Sequence, residues 1–453
     1  ELLAELGRAP ESRKLLNRVI STLNDVVDSA LSEEESLILV SAQDLLGRIL
    51  IDQGHFEEAM ASIREALRSA RSLVESNPHN PSYREMRATS LIYLANAAHF
   101  LGLDEQESQA YSAAIVDYEM LTTQFPTAAV FKQGLAITHA NLADRLRKSG
   151  SIEDAASHIS AAQGLLGGLA TTATDETHLF IRDTSAYTFD IQGHLLRDQG
   201  KHSEAIGCFL DAIKIYDEIL KAESQDVPTV KYIETLALCH SHLAQARHNL
   251  GDFTAADQEF AEAKALLKSV SNTTPTIVDT LASVDWYRGI SFVWREDHAN
   301  AVRAFDDAKR LWQDLISEGI ASPIHNYHFA ELLLNCPVES IRNPRLGRQI
   351  AEELIRNSPR NPDFHRLLAV ARIRLSEPVA ATQSLNTATE LRRDTNGEVL
   401  LWKAVLAHQS NDTEAAKSFR NEANRWMSNR SSDRWNLRIV AEEVDVLLEL
   451  SPL

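Results

Sequence analysis

Apolar and small residues recur along the chain at spacings of three to five residues, the period of one face of an α-helix. They form blocks, and each block is centred on a glycine. Seven positions before the glycine lies a small residue, nine after it a larger apolar residue, and twelve after it an alanine. The larger apolar residues are Ile63, Tyr111, Ile159, Phe209 and Phe260. This pattern predicts two amphipathic helices in each block, with the chain turning at the glycine.

The central glycines occur at nearly constant intervals of 48 to 51 residues, as Gly54, Gly102, Gly150, Gly200 and Gly251. Glycine ends a helix well because it adopts the left-handed backbone conformation without strain at Cβ. Acidic residues follow several of these glycines and suit the first turn of the next helix. A glycine in fixed register indicates one supersecondary unit copied along the chain.

The small residues before each turn are expected where the two helices of a unit cross. They are Gly47, Ala95, Ala143, Gly193 and Ala244. Later copies keep the register and lose the glycine. Glu296 and Ser376 stand at two of these turns, and an eighth copy has an ambiguous register around Ala415 and Ala416.

The pattern divides the chain into four expected regions. Residues 1–37 are predicted to be an N-terminal partial repeat or capping helix, and residues 38–318 a regular array. Proline and asparagine become frequent in 319–345, which predicts an irregular linker or hinge. Residues 346–453 are expected to form degenerate units and a C-terminal capping helix. The regular units are expected at about 38–78, 82–125, 130–170, 178–223, 228–270 and 278–318.

The order of small residue, glycine, alanine, aromatic residue and alanine resembles that of the tetratricopeptide repeat (TPR) family. The usual period of that family is about 34 residues. The longer period here is interpreted as longer helices and not as an inserted domain. The resemblance implies an all-α fold, a right-handed α-solenoid of antiparallel helix pairs. It also implies a non-catalytic protein–protein interaction scaffold whose partner lies in a concave groove.

In TPR arrays the first helix of each pair lines the groove, so the resemblance also implies which residues contact a partner. They are Asp44, Arg48, Asn96, His99, Asp144, Arg147, Asp190, His194, Arg197, Gln245, His248 and Trp286. Arg147 and Arg197, one unit apart, are expected to hold an acidic or extended segment. Trp286 is either a peptide anchor or a residue packed between units. The lysines and asparagines that bind chaperone C-terminal tails are matched only by Asn96, so such a tail is not an expected partner.

Two segments, 77–84 and 401–408, are similar to the TPR tails of bacterial serine/threonine protein kinases, notably those of planctomycete-like bacteria. This similarity implies a regulatory or substrate-recruiting tail, with any kinase activity in the parent polypeptide. The chain begins at Glu1 and not at Met, which indicates a piece of a longer protein. The alternative is a ligand- or peptide-sensing TPR domain of a signalling or transcriptional regulator.

The charge and the cysteines limit the partners and the compartment. The net charge of −19 disfavours binding to nucleic acid. Basic residues outnumber acidic ones within 341–440, so a basic C-terminal docking surface remains an alternative to the groove. Three widely spaced cysteines indicate a reducing cytoplasm. No apolar run approaches the roughly 20 residues of a membrane span, so no membrane insertion is expected.

The chain contains no recognisable catalytic or phosphate-binding motif, so neither an enzyme nor a cofactor is expected. The segment from Cys239 to His242 contains metal-ligating residue types. His240 and His242, however, are two positions apart and point to different sides of a helix. The sequence therefore predicts no metal site there.

Overall fold

The computed structural model describes residues 9–25, 31–170, 175–221, 229–271, 274–392, 396–428 and 435–449. Throughout these residues the regular secondary structure is helical, which confirms the predicted all-α fold class. None of the helices in the described part of the chain is long and apolar enough to cross a membrane.

The elements follow one another as helix pairs. In chain order they are α1 (Ala9–Asn24), α2 (Glu33–Asp52), α3 (Phe56–Ser76), α4 (Pro81–Phe100), α5 (Asp104–Gln124), α6 (Ala129–Ser149), α7 (Ile152–Ala170), α8 (Asp175–Asp198), α9 (His202–Lys221), α10 (Thr229–Asn249), α11 (Phe253–Ser269), α12 (Pro275–Trp294), α13 (His298–Ser317), α14 (Pro323–Asn335), a 3₁₀ turn (Glu339–Ile341), α15 (Pro344–Asn357), α16 (Pro362–Arg374), α17 (Pro378–Arg392), α18 (Gly397–Gln409), α19 (Thr413–Ser428) and α20 (Trp435–Leu447).

Six successive pairs, from α2/α3 to α12/α13, account for the predicted repeats. Their helices are 17 to 24 residues long, against 13 to 16 for α14 to α20. The long period of the first region is therefore a matter of helix length, as the sequence predicted.

The turns of the first five regular pairs have the predicted left-handed glycine, and Glu296 occupies the turn of the sixth. All five central glycines have positive φ, between 63° and 90°. At the first turn the Gly54 N–H donates to the Ile51 carbonyl, and the His55 N–H donates to the Leu50 carbonyl, both at 2.8 Å. These two bonds are the Schellman closure of a helix C-terminus, and they satisfy carbonyls that the helix itself leaves unpaired.

The predicted helix crossings are also present. A Cβ added to Gly193 would lie 2.5 Å from the Phe209 ring, and one added to Gly289 would lie 2.5 Å from the Phe305 ring. Both phenylalanines have no solvent-exposed surface. The small residue thus lets the two backbones approach, and the aromatic ring fills the space beside it.

The segment 319–345 differs from its prediction as an irregular linker. It contains α14, the 3₁₀ turn and the start of α15, and α14 packs against α15 as a further helix pair. Two of its three prolines, Pro323 and Pro344, begin helices. Ser322 accepts a hydrogen bond from the His325 N–H and precedes Pro323, and Asn343 accepts from the Leu346 N–H ahead of Pro344. Proline is well tolerated at the first helical position, where its missing N–H has no helical partner to lose.

The ambiguous eighth unit has a definite register in the structure. Asn411 has a φ of 59° and occupies the turn, and Ala416, five positions later, is fully buried. Ser376 occupies the preceding turn with a φ of 60°. These two turns are 35 residues apart, close to the usual TPR period of about 34.

The chain forms two compact units whose limits differ from the predicted domain boundaries. Unit 1 comprises Glu1–Leu142 and Ser160–Ile181, and unit 2 comprises Ala143–Ile159 and Arg182–Leu453. Each has its own apolar core. In unit 1 a core cluster consists of Val40, Ala66, Ala70, Leu73, Val74 and Tyr83. In unit 2 a core cluster consists of Ala143, Ala155, Ile159, Ile191 and Leu195.

Candidate functional site

In unit 2 the C-terminal helix α20 lies against the first helix of the sixth pair, α12. The Trp286 indole N–H donates to Asn436 Oδ1 at 2.9 Å, and the Trp294 indole N–H donates to Glu442 Oε2 at 2.8 Å. The ring of Trp435 meets that of Trp294 edge-on, with centroids 4.7 Å apart. The chain itself therefore covers Trp286, one of the predicted groove residues.

Ion pairs hold α20 in this position. Arg420 of α19 donates to both carboxylate oxygens of Asp445, each at 2.6 Å, and its side chain is 1% exposed. Glu443 accepts from Arg374 and from Arg342. A bidentate arginine–carboxylate pair fixes direction as well as distance. The predicted capping helix is thus a packed part of unit 2.

A cavity of about 600 Å³ remains open beside α20 and is called the C-terminal pocket here. Its lining residues are Arg197, Gly200, His202, His248, Asn249, Gly251, Phe253, Trp294, Asn424, Met427, Arg438, Ala441 and Glu442. The guanidinium of Arg438 lies over the Trp294 ring, 4.4 Å from its centroid, and donates to Glu442 at 2.9 Å. The pocket therefore combines two guanidinium groups, aromatic rings and a single carboxylate.

His248 forms part of the wall of this pocket, as a neutral imidazole. Burial lowers its pKa to about 4, and the nearby Arg295 and Arg438 charges act in the same direction. Its Nδ1 lies 2.8 Å from Ser291 Oγ, and its ring contacts Trp435. The imidazole consequently adds shape and polarity to the pocket at neutral pH, and no positive charge.

The two arginines that were predicted to act together have different surroundings. Arg147 donates to Asp198 Oδ2 at 2.6 Å and to Asp144 Oδ1 at 2.8 Å. The charges of Lys148 and Arg147 outweigh burial and lower the pKa of Asp144. Arg147 is therefore one member of a network of ion pairs. The joint binding of an acidic or extended segment by Arg147 and Arg197 remains a prediction. Of the two, only Arg197 lines the C-terminal pocket.

Arg197 donates to the side-chain oxygen of Gln245 at 3.0 Å. Both residues belong to the predicted groove set, and the amide of α10 orients the guanidinium of α8. Gln245 is uncharged, whereas Arg147 donates to two aspartates.

Asp190 and His194 lie one helical turn apart on α8, beside His242 of α10. The rings of His194 and Phe209 pack edge to face, with centroids 5.5 Å apart. Burial lowers the pKa of His194 to about 3, so its imidazole is neutral at physiological pH. His242 Nδ1 contacts the Asp190 carboxylate, so these three side chains form one cluster between neighbouring helix pairs.

The predicted groove residues of unit 1 lie on α2 and α4. Burial raises the pKa of Asp44 to about 7, and the hydrogen bond that it accepts from Ser90 Oγ at 2.6 Å opposes this rise. Asn96 accepts a hydrogen bond from the Tyr111 hydroxyl at 2.7 Å. Arg48 is half-buried, and its charge opposes the rise that burial causes in the pKa of the Asp52 carboxyl.

The remaining residue of this predicted set, His99, is exposed. Its Nδ1 lies 3.3 Å from the carboxylate of Glu107, the residue that replaces the usual alanine after the turn. These unit 1 side chains thus contact neighbours within the fold, and their role toward a partner remains a prediction.

The sequence did not single out Asn436, Arg438 or Glu442 as site residues. Helical periodicity marks α20 as amphipathic, but it carries no information about which distant surface α20 covers. The Trp286–Asn436 contact joins residues 150 positions apart. No local signal in the sequence could have identified it.

Comparisons with known proteins agree with the repeat interpretation over a limited span. Residues 39–81 match the tetratricopeptide repeat family. The TPR match covers most of the α2/α3 pair and ends at the first residue of α4. A search of curated protein sequences gives no match.

Several solved structures are similar to the chain at low identity. A tetratricopeptide repeat protein from Parabacteroides merdae has 12% identity and a TM-score of 0.36, over 65% of this chain and 96% of that one. The apo form of the quorum sensor NprR from B. thuringiensis has 12% identity and a TM-score of 0.41, over 86% and 99%. A Rap protein complexed with competence and sporulation factor has 10% identity and a TM-score of 0.46, over 87% and 99%. At TM-scores below 0.5 these similarities carry no argument about partners.

Proposed function

We propose that this chain is a non-catalytic interaction module that binds an acidic, extended segment of a protein or peptide at the C-terminal pocket. The observation that carries the proposal is the composition of the pocket. Arg197 and Arg438 line it together with the aromatic rings of Trp294 and Phe253, and Glu442 is the one carboxylate in the lining. Arginine and aromatic side chains in a concave site are the groups that most often dominate binding energy.

The neighbouring contacts favour a ligand with an acidic side chain next to an apolar one. Arg197 donates to the side-chain oxygen of Gln245 and also lines the pocket, which places a positive charge beside a bound acidic side chain. Phe253 is 40% exposed and offers an apolar surface at the rim. A bidentate contact between arginine and a ligand carboxylate would fix the orientation of the bound segment.

Affinity capture with matched variants tests this proposal. Proteins that the wild-type chain captures from a cell lysate would be identified, and the affinity of each candidate measured with purified protein. Arg197→Gln removes a charge-assisted hydrogen bond, so we expect the affinity to fall by about tenfold to a hundredfold. Phe253→Ala should weaken binding without affecting the arginine. Arg310→Gln is the control, because Arg310 lies on α13 outside the pocket with its side chain 71% exposed. Equal affinity for all three variants would rule out this site.

A second candidate function is that of a sensor for a small anionic ligand or a short peptide. The cavity volume of about 600 Å³ favours it, because small-molecule sites commonly measure about 300–1,000 Å³. A ligand that binds only the folded state raises the melting temperature. A thermal-shift screen of anionic metabolites and acidic peptides therefore separates the two functions. A hit that stabilises wild type and Arg310→Gln, but not Arg197→Gln, would support the sensor.

A more specific proposal is that this chain is the C-terminal tail of a bacterial serine/threonine protein kinase. It rests on segments 77–84 and 401–408 alone. The gene sequence upstream of Glu1 tests it directly, because it would or would not encode a kinase domain. A cytoplasmic location is likewise a proposal, supported by the free thiols of Cys208, Cys239 and Cys336.

A further inference from the structure

Two neighbouring first helices of unit 2 direct four metal-ligating side chains toward one another. Helix α8 carries Asp190 and His194, four positions apart, and α10 carries Cys239 and His242, three positions apart. These spacings place both members of each pair on the same face of their helix. Two such pairs on adjacent helices bring an imidazole and a second donor from each side.

The donor atoms of these side chains lie close enough together to converge on one ion. His242 Nδ1 lies 2.9 Å from Asp190 Oδ1, and His194 Nε2 lies 3.5 Å from Asp190 Oδ2. The donor atoms of these three residues all lie within 4.8 Å of one another. Cys239 Sγ is 3.7 Å from Asp190 Oδ1. With bonds of about 2.0–2.3 Å, tetrahedral geometry requires donors roughly 3.3–3.8 Å apart. Small movements of Asp190, His194 and His242 would therefore suffice, whereas the Cys239 thiol lies outside this group of three and would have to move closer to the two imidazoles.

The hydrogen bonding of His194 leaves its imidazole available to a metal ion. Its Nδ1 has no hydrogen-bond partner among the described residues, and its Nε2 makes only the long contact to Asp190. Packing holds the ring in place, with the centroid of the His242 ring 4.2 Å away. A cation at Nε2 would replace the long contact with a coordinate bond.

We propose that Asp190, His194, His242 and Cys239 form a binding site for a divalent cation of the zinc type, Zn²⁺ or Co²⁺. Imidazole, carboxylate and thiolate together are ligands that zinc prefers, and this mixture disfavours Mg²⁺ and Ca²⁺. Binding converts the Cys239 thiol to a thiolate and releases one proton to solvent. The side chains of Asp190, His194 and His242 are 14%, 13% and 20% exposed, so an ion can reach them.

The bound ion would connect α8 to α10 and so fix the register of two successive helix pairs. Sequence reasoning rejected a metal site here because His240 and His242 diverge. They do diverge in the structure, since His240 Nδ1 lies 2.6 Å from Glu259 Oε2. The other donors come from α8, about 50 residues earlier in the chain, which the spacing within one helix could not reveal.

Titration of the metal-free protein with Co²⁺ and then Zn²⁺ tests the site. We expect one ion per chain, visible absorption bands of tetrahedral Co²⁺, a near-ultraviolet thiolate-to-cobalt band, and release of one proton per ion. His194→Gln and His242→Gln should each lower the Zn²⁺ affinity by at least about tenfold, as loss of even an outer-shell partner does. Asp190→Asn should act in the same direction and keeps the shape of the side chain.

His240→Gln is the matched control, because it removes a histidine of the same helix that faces away from the site. Circular dichroism should show wild-type helicity for every variant compared. Failure of the wild-type chain to bind Co²⁺ or Zn²⁺ would overturn the proposal, and so would equal affinity for His240→Gln and both site histidine variants. Binding with no thiolate band, unchanged in Cys239→Ser, would remove Cys239 from the ligand set and contradict the four-ligand site.

Discussion

The glycine turns of the regular array and the later turns without glycine adopt one conformation with different residues. Gly200 has a φ of 72°, and Glu296, Ser376 and Asn411 have φ values of 59° to 60°. The hydrogen bonds are also alike. The Glu296 N–H donates to the Val293 carbonyl, and the Asp297 N–H donates to the Phe292 carbonyl, both at 2.9 Å. The packing of the helix pair therefore imposes the turn, and glycine lowers its cost.

The region with glycine turns and the C-terminal region are also stabilised in different ways. Pairs with glycine turns have long helices and bury alanine together with isoleucine, tyrosine or phenylalanine at their crossings. The pair that turns at Glu296 also has long helices, and the helices are shorter only from α14 onwards. There α20 adds buried charge through Arg420 and Asp445. A shorter helix buries less apolar surface, so interactions between distant segments have a larger share in holding these pairs together.

The largest expected effects come from the aromatic residue nine positions after the turn. Phe209 follows a glycine turn and Phe305 follows the turn at Glu296, and both are fully buried. Replacing either with alanine should lower the free energy of unfolding by about 3–5 kcal/mol. Urea denaturation of both variants provides the measurement, with Leu210→Ala, 43% exposed, as the control. A loss below about 1 kcal/mol for Phe305→Ala alone would show that pairs without glycine pack less tightly.

Asp445→Ala tests the buried charge of the C-terminal region. It leaves the Arg420 guanidinium buried without its carboxylate, which should cost about 3–5 kcal/mol. Hydrogen exchange should show the loss first in α19 and α20. Asp307→Ala, which removes an exposed ion pair with Arg310, should change stability by less than about 1 kcal/mol. Similar stabilities for the two variants would contradict a structural role for the buried pair.

Gly193→Ala and Gly289→Ala test the helix crossings in both kinds of pair. The added Cβ would lie 2.5 Å from a phenylalanine ring, so each change should cost about 1–3 kcal/mol. Gly207 provides the opposite control. It lies inside α9 with nothing within 4 Å of an added Cβ, and alanine there should stabilise the helix by about 0.5–1 kcal/mol. Gly193→Ala and Gly289→Ala proteins as stable as Gly207→Ala in thermal unfolding would disprove this account of the crossings.

The smallest expected effects are at the turns themselves. Gly200→Ala introduces a side chain at positive φ and should cost about 1 kcal/mol, whereas Glu296→Gly should stabilise the protein by up to about 1 kcal/mol. Chemical denaturation of the two variants checks the signs. Destabilisation in both cases would mean that the Glu296 side chain contributes more to stability than its backbone conformation costs.

The sequence predicted the repeating helix pairs, the turns and the crossings because each of these depends on residues close together in the chain. Gly47 and Ile63 illustrate the point, since they are 16 positions apart and meet within one pair. The prediction was wrong for 319–345, where proline and asparagine were taken to break structure. Ser322 and Asn343 instead cap helices whose first residue is proline. The same residue types begin a helix or interrupt it, depending on the residues that come after them.

The candidate site was predictable only in part. The sequence placed Arg197, Gln245, His248 and Trp286 on the first helices of their pairs, where the structure has them. It could not distinguish Arg147, which contacts two aspartates, from Arg197, which contacts an amide. Equivalent positions in a repeat share a register, but their charge environment depends on the neighbouring pairs.

The sequence by itself determined the all-helical repeat, because helical periodicity, a glycine at each turn and small residues at each crossing are local requirements of a helix pair. Only the tertiary structure decided which surfaces remain available. The packing of α20 against Trp286 and Trp294 and the meeting of Asp190 with His242 join residues 52 to 150 positions apart. Contacts at such separations depend on how successive pairs stack, which is a property of the folded chain and of no single segment.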